Sequence, residues 1–284
     1  MSIFWWVVII TAIAGVGGTG LGGVVGVVLT RDSSKMVSLL LAFAGGIMLA
    51  VVCFDLIPES FLPNGAEQNM PIMVVFAGLI IGFLVVYALN AIIDRNTNPE
   101  IEHIDEQHPL THDALDELIH ADHLTMHRNT ESQVGLFAAG VVMACAIALH
   151  NMPEGMVIGA SYAGNSEELL GGAGFIIAIV IGLHNIPEGM AVSVPLVAGG
   201  MSKVKSVVVT ALSGVPTILG AMLGYSLGLI SPTSLSLSLS FASGAMMYVV
   251  MCELLPESFL MWKSKAPGAA AMVGIMLGIV LVRV

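Results

Sequence analysis

FAGGIMLAVVCFDLIPESF (residues 43–61) and FASGAMMYVVMCELLPESF (residues 241–259) are two copies of one segment at an offset of 198, identical at eleven of nineteen positions. Each is apolar over a length suited to a bilayer and closes on an acidic residue, two apolar residues and Pro-Glu-Ser. Working outward, apolar windows of about 20 residues fall at 3–29, 36–62, 71–93, 134–163, 168–197, 204–230, 233–262 and 267–284. The reading is an all-α membrane protein with eight transmembrane helices. The repeated segment occupies spans two and seven. Glycines extend the match: Gly18, Gly22 and Gly26 in span one align with Gly220, Gly224 and Gly228 in span six, and Gly78 and Gly82 in span three with Gly274 and Gly278 in span eight. Spans one to three therefore recur as spans six to eight. Each is displaced by five helices, an odd number, so the copies cross the membrane in opposite senses. That is an inverted repeat, an arrangement common in secondary transporters.

Composition supports the same class. Of 284 residues, 56 % are hydrophobic and only 10 % charged, against roughly 25 % charged in a soluble domain. A net charge of -11 excludes a nucleic-acid partner, since nothing neutralises phosphates in series, and points to cations. The first basic residue is Arg31 and the apolar run before it exceeds a signal-peptide core, so that run reads as a retained span. Cys53, Cys145 and Cys252 lie in apolar stretches without CxxC spacing, as packing residues do. Arg31 and Lys35 follow span one, Arg95 and Arg128 span three, Lys203 and Lys205 span five, Lys263 and Lys265 span seven. By the positive-inside rule the chain is a multi-pass protein of the cell membrane with both termini extracytoplasmic. It divides into spans one to three (1–93), a cytoplasmic loop (94–133), spans four and five (134–197) and spans six to eight (198–284). The loop carries ten of the twenty acids and six of the eight histidines. His103, His108, His112, His120, His123 and His127 are expected to contact metal weakly and exchangeably.

The centre of the chain carries the chemistry. LHNMPEGM (149–156) recurs as LHNIPEGM (183–190), in adjacent and therefore antiparallel helices. In each copy His and Glu are four apart and Asn and Glu three apart, along one helical face. Pro153 and Pro187 remove a backbone donor each, so both helices are expected to kink there. Two facing copies bring His150, Asn151, Glu154, His184, Asn185 and Glu188 to one midplane cluster. Ionisable groups at that depth line a substrate path, and nitrogen with oxygen suits zinc, iron(II), manganese or cadmium better than sodium, potassium or magnesium.

Eight spans, a His-rich loop after the third, and HNMPEG and HNIPEG in the fourth and fifth resemble the ZIP (Zrt-, Irt-like) family of divalent-metal transporters. The resemblance implies a 3+2+3 bundle, uptake of zinc or a similar ion toward the cytosol, a metal site between spans four and five, an elevator-like transition and a homodimer. It adds Met48 as a candidate metal ligand, and Asp55, Glu59, Glu253 and Glu257, beside Pro58 and Pro256, as pathway or gate residues. Span six departs from the family. Many members carry SGxxEP there, with a glutamate for a second metal, whereas this chain reads SGVPTILG with Thr217 in its place, which puts a binuclear site in doubt. Two other functions are compatible with parts of the pattern. An intramembrane zinc hydrolase needs one asymmetric open site, against the duplicated ligands and the lack of HExxH; a metal-selective channel could use the same site.

Overall fold

A computed structural model describes residues 2–28, 33–63, 66–97, 133–164 and 169–283; the six loop histidines lie outside these residues. The described residues form eight helical rods and no strand. Helix α1 comprises Ile3–Ala12, a π turn Ile13–Gly17 and Gly18–Val28. Helix α2 comprises Ser33–Val51, a π turn Val52–Leu56 and Ile57–Phe61. Then follow α3 (Ile72–Thr97), α4 (Gln133–Gly164) and α5 (Ala173–Ala198). Helix α6 runs Lys203–Ser213 and Val215–Gly228, interrupted at Gly214. Helix α7 comprises Pro232–Val249, a π turn Val250–Leu254 and Leu255–Met261, and α8 is Ala266–Arg283. Among the described residues, six helices are long and apolar enough to cross a membrane, and α8 is a shorter apolar one. The start of α5 falls later than expected: Leu169 and Leu170 lie in a turn and Gly171 takes φ +109°, a conformation that stops the helix from extending backwards.

Helices α4 and α5 stay helical through Pro153 and Pro187, and π turns occur in α1, α2 and α7. The two π turns of α2 and α7 are related by the 198-residue offset. In each, a widened turn precedes Pro58 or Pro256, where the i−4 hydrogen bond is lost in any case.

Glycines set the helix pairing. Helix α1 lies against α5, α2 against α8, α3 against α7 and α4 against α6. In each pair backbones nearly touch: a methyl on Gly22 would sit 2.1 Å from the Ile186 carbonyl oxygen, and one on Gly220 would sit 2.0 Å from that of Met152. Close approach through small residues is how helices associate without a hydrophobic driving force. The order of these contacts also gives direction. Gly18, Gly22 and Gly26 meet Gly182, Ile186 and Met190 in turn, so α1 and α5 are parallel, as are α4 and α6 by the same test. Helices α4 and α5 are antiparallel, with Phe137 against Gly199, Gly140 against Leu196 and Tyr162 against Gly174. Helices α2 and α7 are antiparallel as well. The Ser38 hydroxyl donates to the Ser258 carbonyl at 2.5 Å, and the Ser236 hydroxyl to the Ser60 carbonyl at 2.6 Å, each bond being the image of the other at offset 198.

The internal symmetry is real, but its register in the outer helices differs from the glycine alignment. Gly22 and Gly220 make equivalent contacts, as do Thr19 on Gly189 and Thr217 on Gly155, so α1 matches α6 at offset 198, one turn from the pairing of Gly18 with Gly220. Likewise Gly82 on Phe241 is the counterpart of Gly274 on Phe43, so α3 matches α8 at offset 192 and Gly82, not Gly78, is the mate of Gly274.

The large apolar side chains left exposed lie mainly on outward faces. Ile72, Met73, Ile80 and Ile81 of α3 and Met272, Val273 and Met276 of α8 are all more than half exposed. In water such faces would be costly; in hydrocarbon they are solvated.

Candidate metal centre

Helices α4 and α5 are 0–3 % exposed at His150, Asn151, Glu154, His184, Asn185 and Glu188. Their antiparallel packing sets His150 level with Glu188 and Glu154 level with His184. Glu154, His184 and Glu188 each offer a ligand atom, and these atoms lie within 4.8 Å of one another. The His184 Nε2 and Glu154 Oε1 are 2.9 Å apart. Both oxygens of Glu188 and the second oxygen of Glu154 have no hydrogen-bond partner. Two carboxylates at this depth without compensating charge are strongly unfavourable, and a divalent cation offsets that cost directly.

His150 does not join the three-residue cluster. It pairs through Nε2 with Glu253 of α7, while remaining within electrostatic reach of Glu188 and Glu154. Glu253, expected along the pathway, therefore sits at the edge of the centre. Its carboxylate is delivered by the π turn Val250–Leu254, and π turns re-aim side chains in this way.

The asparagines anchor the irregular backbone. Asn151 Nδ2 donates to the Ser213 carbonyl at 2.9 Å, beside the Gly214 break, and Asn185 Nδ2 donates to the Ala14 carbonyl at 3.3 Å, inside the α1 π turn. Each amide keeps its own Oδ1 unpartnered, available to a hard or borderline cation.

Met48 and its repeat mate Met246 are both 1 % exposed in the apolar core. Asp55 and Glu59 are partly exposed on one face of α2 and interact electrostatically with each other. Glu257 is partly exposed on α7. Thr217 is fully buried, its hydroxyl unpartnered and packed on α1, where a methyl on Gly15 would meet it at 2.5 Å. Its mate Thr19 donates instead to the Gly15 carbonyl at 2.8 Å. Sequence reasoning missed this Thr19/Thr217 pair, which the 198 offset of spans two and seven would have revealed.

The sequence profile of the ZIP zinc transporter family matches residues 6–284. The chain belongs to the ZIP family. Its relatives include proteins named zinc transporter ZupT. That of Chlorobium luteolum is 35 % identical over 263 residues, 91 % of this chain and 90 % of the relative. That of Nitratidesulfovibrio vulgaris is 32 % identical over 244 residues, 84 % and 83 % of the two chains. That of Clostridium perfringens is 30 % identical over 260 residues, 88 % and 85 %. ZIP proteins are transporters and not enzymes, so the hydrolase reading falls away, and this member of the family is a multi-pass membrane protein that moves a divalent metal.

Proposed function

We propose that this ZIP protein imports zinc, with iron(II), manganese or cadmium as possible competitors, through a midplane site formed by the two HNxPEG motifs. The buried cluster of Glu154, His184 and Glu188, with ligand atoms within 4.8 Å of one another, carries this reading. His150, Asn151 and Asn185 complete the donor set, and the family resemblance adds Met48 as a further ligand. The imidazoles favour a transition metal over magnesium or calcium, and the two glutamates balance the charge of one dication. Asp55, Glu59, Glu253 and Glu257 line the approaches. The loop histidines His103, His108, His112, His120, His123 and His127 collect or buffer metal on the cytosolic side.

Eight membrane crossings in the 3+2+3 order that the family resemblance implies, with both termini extracytoplasmic by the placement of basic residues, are compatible with the parallel and antiparallel pairings of the helices. The domain division at 93, 133 and 197 follows from the same spans. Metal moves by elevator-like alternating access. Helices α1, α4, α5 and α6 shift as one body against α2, α3, α7 and α8, and the exposed face of α3 supports a homodimer in the bilayer.

Zinc uptake by the purified protein in liposomes tests the reading. Saturable uptake with strong temperature dependence, abolished by Glu154→Gln and by Glu188→Gln, is expected. Normal uptake by both variants would remove the site assignment, and flux rising linearly with zinc would favour the channel.

A further inference from the structure

The centre is built from symmetric parts but is not itself symmetric. Under the pseudo-twofold relation His150 maps to His184 and Glu154 to Glu188, at offset 34, while Asp55 maps to Glu253 at offset 198. The structure holds the pairs His150 with Glu253 and His184 with Glu154. The images of these two pairs are His184 with Asp55 and His150 with Glu188. Neither image pair is formed.

The groups that would form them are available. Both Glu188 oxygens are buried without a hydrogen-bond partner, and Asp55 makes no hydrogen bond or ion pair with a described residue. The seams agree: α4 packs on α7 more extensively than its image, α5 on α2. One half of the molecule is thus closed around a histidine, and the other holds the same parts apart.

From this geometry we infer that the two histidines exchange carboxylate partners during the transport cycle, and that Asp55 is the residue that receives His184. In the state seen here His184 faces inward to Glu154 and His150 reaches outward to Glu253. In the opposite state His150 faces inward to Glu188 and His184 reaches outward to Asp55. Each state contains two histidine–carboxylate pairs, one inside the centre and one across the moving seam. The exchange therefore conserves the number of buried contacts. Two states of comparable free energy are what a transporter needs, because a substrate can shift an equilibrium only by its differential affinity for them. Aspartate is one methylene shorter than glutamate, so α2 must approach α5 more closely than α7 approaches α4. The inference rests on the transport reading above and assigns a partner and a direction that this reading lacks.

Electron-spin distance measurements on the full chain in liposomes test it, with Cys53, Cys145 and Cys252 replaced by serine. One label pair occupies Met152 and Met251 across the α4–α7 seam, and another Leu183 and Phe54 across the α5–α2 seam, all four being exposed. Two distance populations are expected for each pair, with short Met152–Met251 distances accompanying long Leu183–Phe54 distances. Removing the charge that stabilises only the opposite state, by Asp55→Asn, should shift the populations toward the state seen here by about tenfold or more. Glu253→Gln should shift them the other way, and Asp55→Glu should restore the original balance, which a merely structural defect at that position would not do. An unchanged distribution in Asp55→Asn, or a shift toward long Met152–Met251 distances, would overturn the exchange. So would a single distance population in liposomes that take up zinc, while leaving the transport reading intact. Absence of uptake by the unsubstituted protein would overturn both.

Discussion

Gly155 follows the central Glu154 directly, and its α carbon is pressed on α6. A methyl carbon on Gly155 would lie 1.8 Å from the Thr217 carbonyl oxygen, 2.7 Å from the Thr217 carbonyl carbon and 2.9 Å from the Ala221 nitrogen. All three are backbone atoms, so no side-chain rotation relieves the clash. To bring the first contact to even 3.0 Å, α4 and α6 must part by about 1.2 Å. Overpacking of this kind costs about 1–3 kcal/mol, occasionally more, although alanine would gain up to about 1 kcal/mol in helix propensity over glycine. The displacement also moves Glu154 relative to His184 and Glu188, and a misplacement of about 1 Å in a functional constellation can cost on the order of a hundredfold. We therefore expect Gly155→Ala to fold with a lowered melting temperature and to lose zinc uptake by roughly that factor. Gly17→Ala is the matched control, because the nearest neighbour of its added carbon is 3.9 Å away. Thermal melting in detergent and uptake in liposomes would be measured on both. Gly155→Ala matching the unsubstituted protein in both assays would refute the argument that backbone contact between α4 and α6 sets the site geometry.

Zinc binding should weaken on acidification, because carboxylate and imidazole ligands must be deprotonated to bind metal and binding releases their protons. Calorimetric titration at neutral and mildly acid pH checks this, and equal affinities would count against carboxylate ligation. Deleting residues 94–133 should alter the rate or regulation of uptake without abolishing it; complete loss in a correctly inserted variant would make the loop part of the path. An impermeant thiol reagent should fail to label Asn129→Cys from outside intact cells, and labelling would reverse the topology. Thr217 contributes no charge, so one tightly held ion per chain is expected, since two dications a few ångströms apart need surrounding carboxylates to offset their repulsion. Calorimetry on the loop-deleted protein should show one tight site, with a second gained in Thr217→Asp, which adds a charge with little bulk beside Gly15. Two equally tight ions in the Thr217 protein would contradict this.

Much of this molecule is legible in its sequence because the bilayer constrains it. Span length is fixed by hydrocarbon thickness, which is why the ends of α1, α3, α4, α7 and α8 fall within a few residues of the apolar windows. The buried candidate cluster is legible because His and Glu four apart share a helical face and the motif is written twice. The sequence puts Glu253 on the approach and not beside His150, because that contact depends on how α7 packs on α4, which spacing within one helix does not encode.

The register of the outer repeats failed for a different reason. Gly18, Gly22 and Gly26 recur every four residues, and a pattern with that period is almost unchanged when it slides by four. Counting glycines can therefore establish that α1 resembles α6 but not which turn matches which. Residues that break the period decide it. Thr19 and Thr217 are such a pair, and they stand at the same 198 offset as the duplicated segment in α2 and α7. The contacts confirm this choice, with Thr19 over Gly189 and Thr217 over Gly155. The consequence reaches the site: Thr217 is the symmetry mate of a threonine whose hydroxyl is committed to the α1 backbone, while its own has no hydrogen-bond partner. Thr217 presses its backbone on Gly155 and turns its buried, unpartnered hydroxyl toward Gly15 of α1, and a carboxylate placed at this position would add the charge that a second ion requires.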